Sequence, residues 1–187
     1  FAKEEEKVVN PPWFYQVSED DLETIEVING DNQVKFLKIA ERTWAFEDPA
    51  GIPPKHERWG GISLLVAGPQ VRRNLETTAT TIENPEQYGL DEPTIMINVG
   101  LSRGRNLNVR LGKKTTDGRH HYGQVIGFPQ LFLVVRNWGE VIGRLAAEPP
   151  LPKWFVKRNP EDILEVNIYS GTKTSDETHR VRFTRDQ

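Results

Sequence analysis

The chain has 187 residues, 36% of them hydrophobic and 27% charged, with eight Phe, five Trp and four Tyr; this excludes the disordered and fibrous classes and suits one domain with a real core, or one domain plus part of another. Its 24 basic and 27 acidic residues leave a net charge of -3, spread along the whole length, so no field gathers polyanions and nucleic acid is not an expected partner. No apolar run approaches the roughly 20 residues that span a bilayer, and the absence of cysteine excludes disulfides and thiol chemistry while leaving the compartment open.

Phe1 and the charged run Ala2 to Lys7 read as a linker over residues 1–12, with a signal or anchor segment removed upstream. Residues 22–28 and 34–39 are β-rich segments around the turn Asn29-Gly30-Asp31-Asn32, which predicts a hairpin, and Thr43 to Phe46 adds a third strand. Trp59, Ile62, Leu65 and Val66 recur at helical spacing, predicting one helix over 55–67 that Gly60-Gly61 weakens. Val71 to Ile82 reads as a strand through its threonines. After the turn-rich stretch Asn84 to Pro93 come strand candidates at 94–99, 106–111, 120–126 and 131–135, separated by glycine loops. Asn137 to Ala147 reads as a helix, with Asn137 as cap and Glu140 completing a capping box, stopped by Pro149-Pro150-Leu151-Pro152.

A self-similarity runs through the chain at an offset of 141 residues. Trp13-Phe14 matches Trp154-Phe155, and Asp21-Leu22 matches Asp162-Ile163. Ile25, Val27, Ile28 and Gly30 face Val166, Ile168, Tyr169 and Gly171, and Val34-Lys35-Phe36 resembles Val181-Arg182-Phe183 once the second turn is lengthened by six residues. The fold expected is therefore α+β, a mainly antiparallel sheet with two short helices over residues 13–148, then a Pro linker and a repeat-like hairpin over 149–187. That hairpin either starts a second copy or completes the first sheet.

The segment from Asp21 to Phe36, Thr43-Trp44 before a Pro-bearing loop and a helix, the string Tyr88-Gly89-Leu90-Asp91-Glu92-Pro93, then Leu111-Gly112-Lys113-Lys114-Thr115 and Tyr122 together resemble the bacterial domain of unknown function family forty-three-forty. The likeness covers about residues 17–147. It implies a domain outside the cytoplasm held by one N-terminal membrane helix, near gliding-type ABC transporter components, and hence an envelope-associated accessory or interaction module. The family has no established catalytic residues to carry over, and no anchor helix stands in this sequence.

The residues themselves offer no armed centre. Tyr88, Gly89, Leu90, Asp91 and Pro93 are turn formers whose structural roles outweigh a ligand-loop role. Gly112-Lys113-Lys114-Thr115 lacks the leading glycine of a phosphate loop, Leu107 standing there. His120-His121 alternate across a strand and cannot jointly chelate a metal, so they read as polar strand surface. Arg103, Arg105, Arg110, Lys113, Lys114 and Arg119 form a locally basic hairpin, either solvated strand edges or an anion-binding surface. No Gly-x-Ser-x-Gly elbow is present, and the carboxylates at Glu19-Asp20-Asp21 and Glu161-Asp162 read as solvated strand entrances. Trp13, Phe14, Trp154 and Phe155 are either interface aromatics or internal staples. The expected function is a non-catalytic protein-interaction or scaffold domain, without cofactor or metal. The alternative is an accessory domain for an anionic ligand.

Overall fold

A computed structural model describes residues 14–69, 71–74, 84–153, 160–170 and 179–185. The chain is α+β with antiparallel pairing throughout, and it divides into two compact units at Pro152 and Lys153.

The first unit opens with β1 (Leu22–Asn29) and β2 (Asn32–Ala40), joined at Gly30, whose φ of 57° is open to glycine without strain. Ile25 pairs with Phe36 and Val27 with Val34, and all four are buried, which is the period-two pattern made real. β3 (Thr43–Phe46) extends the meander, and Phe46 N–H donates to Ile52 O at 2.8 Å, so the loop caps this outer strand. The chain then passes through α1 (His56–Trp59) and α2 (Ile62–Ala67) to β4 (Val71–Asn74). One helix over 55–67 was expected; two short ones form because Gly61 takes a left-handed φ of 80° and breaks the hydrogen-bond ladder. The strand expected over 71–82 is described to Asn74, and residues 75–83 lie outside the described set.

The return path builds the centre of the sheet: β5 (Ile95–Leu101), β6 (Arg105–Lys114), β7 (His120–Val125) and β8 (Phe132–Val135). Strand order is β3-β2-β1-β5-β6-β7-β8-β4, so β5 inserts beside β1 and β4 closes the far edge on β8. Ile95, Ile97, Val99 and Leu101 point to the same covered face as Ile25 and Val27. Over that face lie Ile62 and Val66 of α2, Ile142 and Leu145 of α3 (Arg136–Ala147), and Phe14. Aromatic rings gather at two places: Phe36 on Phe46 and Trp59 with centroids 4.8 and 4.3 Å apart, and Phe14 on Phe132 at 5.0 Å with Trp138 edge-on at 6.4 Å.

α3 approaches the sheet through two glycines four residues apart. A Cβ on Gly139 would lie 3.0 Å from Leu111 Cδ1, and one on Gly143 2.8 Å from Ile95 Cδ1 and 3.2 Å from Asn29 Nδ2, which itself donates to Gly143 O. The capping box at Asn137 does not form. The cap position is Val135, because β8 runs straight into the helix; Arg136 N–H donates to Arg119 O, and Glu140 turns to Lys114 and Arg136.

The second unit is a separate two-stranded sheet of β9 (Glu165–Ser170) and β10 (His179–Thr184), entered by a single 3-10 turn at Pro160–Asp162. Among the described residues no helix is long and apolar enough to cross a membrane.

Gly143→Val should cost about 1–3 kcal/mol in a chemical denaturation curve by prising α3 from Ile95 and Asn29, as overpacking of tight contacts does. Val141→Ala, on the exposed side of the same helix, should stay within roughly 0.5 kcal/mol of the parent.

Candidate functional site

β1 and β6 end, and β5 and β7 begin, at the same end of the sheet. There the C-terminal half of α3 stands over a cleft of about 460 Å³ whose lining includes Asn29, Thr94, Lys114, His121, Glu140, Arg144 and Glu148. A register shift between Leu111 and Lys114 sets Lys114 opposite His121. His121 is 3% exposed. Its ring nitrogen Nδ1 lies 3.1 Å from Gly112 O; a carbonyl only accepts, so Nδ1 carries the proton. Nε2 is then a bare acceptor, and it is buried with no partner. Burial pushes the His121 pKa below its ordinary value, helped by Lys114 and Arg136 and opposed by the Gly112 bond and Glu140. The imidazole is neutral at pH 7.

Lys114, Glu140 and Glu148 on the rim are paired, Glu148 with Arg58 at 3.7 Å, while Arg144 forms no ion pair among the described residues. Lys114 Nζ sits 3.2 Å and Arg136 Nε 3.3 Å from Glu140 Oε1, and the Lys114 hydrogen bond holds Glu140 below the usual carboxylate range. Chemically the cleft supplies one neutral base, the paired couple of Lys114 and Glu140, and the guanidinium of Arg144. Among the described residues no group of three His, Cys, Asp or Glu side chains is arranged to hold a metal.

The structure does not gather the six basic residues. β6 alone separates Arg105 from Lys114 by roughly 30 Å at the usual strand rise. Arg105 binds Asp21 at 2.8 Å, and hydrogen bonds from Ser102 and Arg105, with Arg103 adding charge, hold Asp21 below its ordinary pKa. Arg110 donates to Gln124 Oε1 at 2.7 Å and to Leu90 O at 2.5 Å, and Lys113 donates to Glu86 O at 3.1 Å. Lys114 belongs to the cleft, and Arg119 is exposed on the turn side. The histidines also differ from the expectation: both are buried rather than strand surface, His121 beneath α3 beside Gly139.

Tyr88, Gly89 and Leu90 are structural in their contacts, while Asp91 is exposed and Pro93 half-buried. Tyr88 packs on Tyr122 with centroids 4.9 Å apart, Leu90 is fully buried, and Gly89 has φ 64°. This loop presses on Leu111-Gly112-Lys113: a Cβ on Gly112 would lie 2.1 Å from Tyr88 O, and one on Gly89 2.7 Å from Lys113 Cγ. Two of the strings that carry the family resemblance are thus one clasp. Phe14 is core, not interface, while Trp13, Trp154 and Phe155 lie outside the described residues.

The chain matches no family model, no curated protein and no solved structure.

Sequence reasoning missed the cleft, since only the strand register shows which histidine faces the helix. The signal within reach was Gly139 and Gly143 on one helical face, a small-residue seam that lets a helix sit close.

Gly112→Ala forces a backbone shift at Tyr88 and should lower stability by about 2–3 kcal/mol, read from the urea midpoint. His121 has its folded pKa below its unfolded value of 6.5, so the unfolded chain takes the proton first. The stability it contributes is complete above pH 6.5 and declines as pH falls through that value towards the folded pKa. His121→Asn removes this titration and should flatten that limb of the stability-pH curve.

Proposed function

We propose that the first unit is a non-catalytic interaction or scaffold module that docks a protein partner on the face of its sheet opposite α2 and α3, on the extracytoplasmic side of a bacterial membrane and in association with a transport system. One observation carries the docking part. α2 and α3 pack on one face of the sheet, while the other presents half-buried Ile28, Leu37 and Met96 interleaved with Glu26, Lys35 and Asn98. An antiparallel sheet tolerates water on one face, and a mixed apolar and polar patch of this kind suits a partner. The envelope and transporter setting rests on the family resemblance alone. The meander-side edge contributes little to docking, because Phe46 N–H is already bonded to Ile52.

A second reading, an accessory domain for an anionic ligand, is favoured by Lys114 and Arg144 lining the cleft that also holds His121. Titration calorimetry with inorganic phosphate and a sugar phosphate, against Lys114→Ala, tests it.

For the main reading, the full-length protein is cross-linked in native membranes and the adducts identified. The expected result is a transporter component whose yield falls at least tenfold in Met96→Glu while the melting temperature holds. Equal yields from parent and variant, or adducts without any transport protein, would overturn it.

A further inference from the structure

The second unit repeats the opening of the first bond for bond. β1 and β2 pair Thr24 with Leu37, Ile25 with Phe36, Val27 with Val34 and Asn29 with Asn32. β9 and β10 pair Glu165 with Thr184, Val166 with Phe183, Ile168 with Val181 and Ser170 with His179. Each partner in the second set stands where the sequence offset puts the equivalent of the first. A 3-10 turn precedes both hairpins, at Glu19–Asp21 and at Pro160–Asp162, again at corresponding positions.

A long-range hydrogen bond recurs as well. Lys38 Nζ donates to Asp20 O at 2.9 Å, and Arg185 Nη1 donates to Glu161 O at 2.7 Å. Lys38 corresponds to Arg185 and Asp20 to Glu161. A generic hairpin has no reason to reproduce register, entry turn and basic latch together, so coincidence is a poor account of the match.

What differs is cover. Ile25 and Phe36 are 0% exposed and Val34 6%, whereas Val166, Phe183 and Val181 are 43%, 56% and 49% exposed. In the first unit β5 pairs along the free edge of β1, and α3 packs over β1 and β2. In the second, β9 has β10 as its only strand partner among the described residues. An isolated two-stranded ribbon is marginal in water, and an apolar face of this kind asks for a covering layer.

From these observations we infer that β9 and β10 are the opening hairpin of a second domain of the same fold. Its apolar face is built to receive the equivalents of β5 and α3 from polypeptide that follows residue 187. The first unit shows what covers this face. A second copy of the chain is a poorer source, because its own β5 edge is taken by β1.

The test completes the second domain with the sequence that covers β1 and β2 in the first unit. Gln187 corresponds to Ala40, so residues 41–152 are appended after Gln187 of the full chain, and amide hydrogen exchange is read at β9. A control protein carries residues 19–40 in place of 160–187, which makes the second domain an outright duplicate. The expected result is at least tenfold slower exchange at β9 in the extended chain than in the 187-residue chain, a gain abolished by Phe183→Asp with the protection of β1 unchanged. A control that folds its second domain beside an extended chain whose β9 exchanges as before would overturn the inference. So would a 187-residue chain that already protects β9 as a dimer and loses both protection and dimer in Phe183→Asp, since the occupant would then be another copy.

Discussion

Two strands carrying apolar side chains on one face need a lid. In the first unit that lid is α3, and the closeness of its fit rests on the missing side chains of Gly139 and Gly143, which let helix backbone sit against Leu111, Ile95 and Asn29. Dispersion and burial weaken quickly with separation, so a helix held off by even one methyl group forfeits contact along its whole buried stripe. The cleft lies beside the same fit: Lys114, His121, Glu140 and Gly143 line a space at the end of the sheet.

The strands were legible because burial on one face writes itself into alternate residues. Ile95, Ile97 and Val99 show it, and so do Ile25 and Val27 against Val34 and Phe36. Helix details were less legible. Gly60-Gly61 announced a weak point, but only the left-handed backbone at Gly61 shows that the weak point is a break. Asn137 and Glu140 had the residue types of a capping box, yet tertiary partners took over: Arg119 O accepts the Arg136 N–H and Lys114 takes Glu140.

The candidate site was hidden for a different reason. Arg103 to Arg119 are neighbours along the chain, but a strand sends neighbours to opposite faces and carries its ends far apart, so Arg105 meets Asp21, Arg110 meets Gln124 and Lys114 meets Glu140. Conversely, Tyr88-Gly89 and Leu111-Gly112 look like separate motifs and are one contact, which only the pairing of β5 with β6 and the path of the intervening loop bring about.

The late insertion of β5 has a cost in folding. β1 must hold its edge open while the chain travels through two helices to the opposite margin of the sheet and back, a long closure that slows assembly. During that wait β9 and β10 offer the same register and the same stripe to the incoming strand. A polypeptide carrying both hairpins therefore contains its own decoy, and misassembly by exchange of one ribbon for the other is the hazard this repeat builds into the molecule.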